Sequence, residues 1–265
     1  MRLHALQGAI SKYRVVRRIK GPRGTRLAER VAHRAAGSHR SQPFKIIDQS
    51  ITSDVANGQY DTNWAGAAYA ESEARIIHSR DRHVCGPHSQ CTQWQFGRHI
   101  SAAAWVGIDG YTCENAILQT GVDFTVDEYG DVSYSGTQAT VRPKALRYSD
   151  DTSKSLVQLT VTASSTTSGT AYIENPSTGQ TVTQDLSSSY ALCEENAEWI
   201  VEDYEEDGSL VAFADFGTVT FTNAEATYDG ETVGPSTATL INIEQNGEVL
   251  TSVSTDSSSV TISYQ

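Results

Sequence analysis

The sequence predicts an all-β protein, an antiparallel sandwich or barrel, and three observations predict it. From Ile100 onward, short stretches alternate apolar and polar residues, turn-forming sequences separate them, and helix signals are scarce. In order along the chain, "VQLTVTA" sets Val157, Leu159 and Val161 against polar neighbours, and "VTFTNA" and "VTISY" repeat that alternation towards the C-terminus. Between the runs stand "NPSTGQ", "EDGS", "YDGE" and "QNGE". Asn246-Gly247, between "TLINIEQ" and "EVLTSVS", predicts a hairpin of type I′, a turn that needs positive φ at both central positions.

Ahead of these strands lies a segment of opposite charge. Residues 1–45 hold twelve Lys or Arg and the single acid Glu29, whereas the rest of the chain holds eight bases and thirty-one acids. Residues 1–50 are therefore read as a basic, propeptide-like arm with a weak helical pattern at Arg26–Ala36, and residues 51–265 as the folded domain. No run approaches the roughly 18 apolar residues of a membrane span, and no apolar segment follows the N-terminal bases, so neither a span nor an intact signal peptide is expected. Nucleic acid is not expected as a partner for the domain, because beyond Lys154 it has no Lys or Arg to meet phosphates. So many carboxylates without cations repel one another at neutral pH and are relieved by protonation, which points to an acidic working medium.

The chemistry open to the domain is narrow. No His follows His99, so a Ser-His-Asp or Cys-His site would need a base from the N-terminal segments. Cys85 and Cys91 with His83 and His88 lack a recognised zinc spacing, and no metal or other cofactor is expected. Carboxylates, amides and hydroxyls remain. In "AEWIVED" (197–203) Glu198, Ile200 and Glu202 share one face of a strand. The two glutamates stand about 13 Å apart at strand rise, too far for the paired acids of a glycosidase on this strand alone. A single inward Glu can instead act as a general base on water if a donor stabilises the resulting oxyanion, and Gln119 of "AILQTGVDF", an amide behind an apolar run, offers one. A solvent-facing strand position is the competing reading of each residue.

Four longer motifs carry a resemblance: "DTNWAGAAY" (61–69), "AAAWVGIDGYTCENAILQTGVDF" (102–124), "TSGTAYIENPSTGQTVTQDL" (167–186) and "ALCEENAEWIVEDYEEDGSLVAFADFGTVTFTNAEAT" (191–227). In these the chain resembles the fungal glutamic peptidases, the eqolisins. The resemblance implies a secreted, acid-acting, pepstatin-insensitive endopeptidase on a two-sheet antiparallel β-sandwich, a concanavalin-like jelly roll, made with a basic prosegment that partners the acidic domain. It implies polypeptide substrates, a monomer, and a catalytic dyad of Gln119 and Glu202. It also implies a cleft lined by Trp105, Asp109, Asp123, Asn63 and Trp64, and a disulfide between Cys113 and Cys193.

Two stretches, 71–100 and 133–156, depart from the family pattern and hold all eight Lys and Arg beyond residue 45. The second stands where the family has an aromatic strand. Ser135-Gly136-Thr137-Gln138 read one nucleotide out of frame can encode Trp-Tyr-Pro, which points to a shifted reading frame. With the aromatic wall replaced, weak activity is the expectation. The alternatives are a carbohydrate-binding or glycoside-hydrolysing jelly roll, and an inactive relative of the peptidases.

Overall fold

The computed structural model describes residues 58–70, 100–127, 156–206 and 208–265 in full, with the backbone alone of Arg2–His4, Gln7–Gly8, His39–Arg40, Val84–Cys85, Val132–Ala139 and Leu146–Tyr148. Among the described residues every regular element is a strand, apart from one 3-10 turn at Pro235–Thr237. The helical pattern at Arg26–Ala36, most of the basic arm, Cys91, and the side chains of 71–99 and 133–155 lie outside the described residues.

The principal strands are β1 (Gly58–Asp61), β2 (Trp64–Ala70), β3 (Ile100–Ile108), β4 (Leu118–Val126), β5 (Val132–Ala139), β6 (Leu156–Ser165), β7 (Ser168–Asn175), β8 (Gln180–Ser187), β9 (Asn196–Glu202), β10 (Thr218–Thr222), β11 (Glu225–Tyr228), β12 (Thr239–Gln245), β13 (Thr251–Thr255) and β14 (Ser259–Tyr264). One antiparallel sheet runs β5-β4-β3-β9-β2-β12, with β1 joined in parallel to β12. The other contains the meander β8-β7-β6 and the ladder β10-β14-β13. Arg2–His4 pairs with β6 and β11, and Val84–Cys85 with β6 and β10, joining the parts into one sheet. The stretch that departs from the family pattern still supplies a strand, since β5 pairs with β4 from Val126↔Val132 to Gln119↔Ala139.

Alternation decides which residues meet between the sheets. Ala197, Trp199 and Val201 of β9 join Ala102, Ala104, Val106 and Ile108 of β3, and these pack with Leu159, Val161, Phe221 and Ile262 of the facing sheet. Trp199 is fully buried there, and its replacement by Ala is expected to cost about 3–5 kcal/mol through lost contacts and a cavity. The other face of β9 carries Glu198, Ile200 and Glu202, all fully buried. Asn246 and Gly247 have φ of 56° and 81°, as the I′ turn requires. Its ladder is short, ending at Glu244↔Val249, because the Thr251 hydroxyl takes the Ile243 N–H at 2.8 Å and the chain crosses to the second sheet as β13.

Candidate active site

Register arranges the outward face of the first sheet into rows. Glu202 pairs with Ala103 on one side and Trp64 on the other, and Ala103 pairs in turn with Asp123. Two residues along, Ile200 pairs with Trp105, which pairs with Gly121. Two further, Glu198 pairs with Gly107, which pairs with Gln119. Six of the sequence-predicted residues, Gln119, Glu202, Trp105, Asp123, Asn63 and Trp64, therefore gather on or beside one face, and all are buried.

Glu202 is held at both carboxylate oxygens. Trp105 Nε1 donates to Oε2 at 2.8 Å, and Asn63 Nδ2 donates to Oε1 at 3.4 Å. Asn63 reaches it from the turn between β1 and β2, where Asp61 Oδ1 accepts the backbone N–H of both Asn63 and Trp64 at 2.7 Å. An Asp that caps two following amides fixes such a turn locally. Trp64 and Ala103 flank Glu202 across the strands, and the Trp64 and Trp105 indoles meet edge to face at 4.9 Å between ring centroids. Two donors on a buried carboxyl replace the water it has lost.

The Trp105 indole runs along β3, and glycines make room for it. A Cβ on Gly107 would lie 2.6 Å from Trp105 Cζ3, and one on Gly121 would lie 2.5 Å from Trp105 Cβ and 2.3 Å from the Ala104 carbonyl. The ring thus touches Glu202 at its nitrogen and overlies Gly107, the residue opposite Gln119, at its other end. Gln119 makes no hydrogen bond with Glu202, and its Oε1 is buried without a partner among the described residues. On an unstrained sheet the two backbones stand about 13 Å apart along the strands and about 10 Å across them, hence about 16 Å in all.

Glu198, four residues away on the same face, is held differently. Neither of its oxygens has a hydrogen bond of ordinary geometry. Burial pushes its carboxyl well above the usual range, Asp109 adds repulsion, and the nearby Tyr111 N–H offsets a part. Asp109 itself turns away from Glu202. In left-handed backbone (φ 64°) it accepts the N–H groups of Glu194, Glu195 and Asn196 at 2.8, 3.0 and 3.1 Å, and so pins the corner that leads into β9. Burial still raises its carboxyl, against the lowering by those amides. The Cys113–Cys193 disulfide closes the same corner, and a loop of that length stabilises the fold by about 4 kcal/mol in the chain-entropy view.

Sequence reasoning missed Asp203 and Gln245. Asp203 follows Glu202, its N–H donates to the Asn63 carbonyl at 2.9 Å, and burial pushes its carboxyl to about 7 despite the Gln245 amide on Oδ2. Nothing in "IEQNG" distinguishes Gln245 from any exposed residue beside a turn. The Asp61 cap, by contrast, is a recognisable signal in "DTNW".

Comparison with known proteins gives one family. A model described as the Peptidase A4 family matches residues 62–264. The chain is 45% identical to aspergillopepsin-2 of Aspergillus niger over 251 residues, 87% of this chain and 89% of that protein. It is 34% identical to scytalidopepsin B of Scytalidium lignicola over 256 residues, 92% of each. Among solved structures, aspergilloglutamic peptidase from Aspergillus niger aligns with a TM-score of 0.58 and 54% identity over 63% of this chain and 99% of its own. SCP-B, a member of the eqolisin family solved with the tripeptide Ala-Ile-His, aligns with a TM-score of 0.61 and 35% identity over 77% and 98%.

Proposed function

The chain belongs to the peptidase A4 family, the eqolisins, and from that premise we propose that it is an acid-acting endopeptidase in which Glu202 activates water and the Gln119 amide stabilises the oxyanion. The observation that carries the reading is the double hold on Glu202. A buried carboxylate with both oxygens engaged by donors is oriented, and it can take a proton from a water and return it to the leaving amine. Gln119 stands on the same face with its Oε1 unpartnered among the described residues, and in this reading its Nε2 donates to the oxygen of the tetrahedral intermediate. Trp105 lies between the two, bonded to Glu202 at Nε1 while its ring overlies Gly107, the residue paired with Gln119. Trp64 and Asn63 complete the Glu202 end, and Asp123 flanks it across Ala103.

Acid action is supported by the carboxyls around the site. Asp203 and Glu198 keep their protons into a range where exposed carboxylates have lost theirs. The basic arm suits a prosegment, because its backbone at His39–Arg40 pairs with Glu205–Glu206, three residues beyond Glu202. The opposite net charges of arm and domain attract at neutral pH, and the attraction weakens as the domain loses negative charge in acid. Such a precursor, active as a monomer, fits a secreted protein; no helix among the described residues is long and apolar enough to cross a membrane.

Digestion of a denatured protein at about pH 2 to 4, with and without pepstatin, tests the reading. Pepstatin-resistant cleavage is expected. Glycan binding or β-glucan cleavage without proteolysis would replace it, and an inert folded chain would mark an inactive relative. Added residues 1–50 should inhibit the processed domain at neutral pH, and failure to inhibit at any pH removes the prosegment role.

A further inference from the structure

We propose that Gln245, at the end of β12, is a positioning residue for Glu202: it clasps the Thr62–Asn63 turn to the strand end that carries Glu202 and so sets the amide that holds the carboxylate. The inference rests on the reading of Glu202 as the base. Gln245 Nε2 donates twice, to the Thr62 carbonyl at 2.9 Å and to Asp203 Oδ2 at 2.8 Å. The first acceptor belongs to the turn that presents Asn63, and the second to the residue after Glu202. Asp203 N–H on the Asn63 carbonyl closes the same junction from the other side.

The clasp matters because the bond it serves is long. Asn63 Nδ2 stands 3.4 Å from Glu202 Oε1, near the limit of a hydrogen bond, so a small outward drift of the turn breaks it. The Thr62 hydroxyl lies 3.5 Å from Asn63 Oδ1 and favours the orientation in which Nδ2 faces Glu202. The Asp61 cap shapes the turn internally, but it does not tie the turn to β9. The β2–β9 ladder ties it at the Glu202↔Trp64 rung, and beyond that rung the Asp203 N–H and Gln245 hold the Thr62–Asn63 side of the turn. Gln245 is itself placed by the adjacent I′ turn at Asn246-Gly247, and it stands opposite Glu248. Asp203, raised to about 7, is neutral in acid and still offers Oδ2 as an acceptor.

The test replaces Gln245 by Met, which keeps the volume and removes both donors, with Gln245→Asn, too short to span both acceptors, as the second variant if the first fails to fold. Glu248→Gln, an exposed change across the same hairpin and outside the clasp, is the control. Two readouts are taken on the full chain and its processed form: kcat and KM on a quenched peptide in acid, and the Trp105 indole N–H resonance, assigned with Trp105→Phe, across the acid range. The clasp predicts a kcat lower by about ten-fold with KM within about two-fold, and an indole titration moved to higher pH, while Glu248→Gln behaves as wild type. An active wild type with unchanged kcat and indole titration in the Gln245 variants overturns the clasp. A wild type that cleaves nothing counts against the dyad instead, and the indole titration alone then decides the clasp.

Discussion

Glu198 and Glu202 lie on one strand and one face, both fully buried, yet they are built as opposites. Glu202 has Trp105 on one oxygen and Asn63 on the other. Glu198 has no hydrogen bond of ordinary geometry, and Asp109 repels its charge. Burial by itself, therefore, does not say what a carboxyl is for. Donors arranged around it hold and orient one, while burial without such donors raises the other.

The contrast between the two carboxyls predicts the outcome of four experiments. The largest effect belongs to Gln119→Ala, which leaves the Glu202 end intact but removes the proposed oxyanion donor; turnover should fall by about 10²- to 10³-fold with little change in unfolding. Peptide assays beside thermal melts check it, and substantial residual turnover removes Gln119 from the dyad. Trp105→Phe deletes one of the two donors on Glu202 while keeping most of the ring. Steady-state kinetics should show kcat reduced by about ten- to a hundred-fold, and wild-type kcat would mean that the hold on Glu202 is not needed.

The third effect is on stability against pH. The Asp203 carboxyl is raised from 3.8 to about 7 in the fold. Between those values the folded state keeps a proton that the unfolded state has released, so stability is fully present in acid and is lost as pH rises. The linkage amounts to at most about 4 kcal/mol between pH 4 and 7. Denaturant titrations at those two pH values should show the loss in wild type and a smaller one in Asp203→Asn. The smallest effect is expected from Glu198→Gln, which imitates the neutral acid: unfolding in acid changes little, and stability at neutral pH rises. A large loss of acid stability would mean that Glu198 is charged and paired.

Much of the fold was legible because strand alternation has a short period. Val157, Leu159 and Val161 announce β6 by themselves, and Asn246-Gly247 announces its turn by the φ values it requires. The sharing of one face by Glu198 and Glu202 follows from the same period. Which partners each meets does not, because cross-strand register depends on chain segments nearly a hundred residues away. Only the register shows that Glu202 falls beside Ala103 and Trp64, while Glu198 falls beside Gly107. Asp109, expected in the cleft from the family motif, serves the corner before β9 through three backbone amides. Gln245 acts through a tertiary junction that no local pattern encodes.

The most direct measurement sets Glu202→Gln against Glu198→Gln in one assay, acid hydrolysis of the same peptide by folded wild type and both variants. The account predicts that Glu202→Gln loses turnover by at least about 10³-fold, as removal of the base requires, while Glu198→Gln keeps activity within a few-fold of wild type. The reverse order, or equal losses, would contradict it.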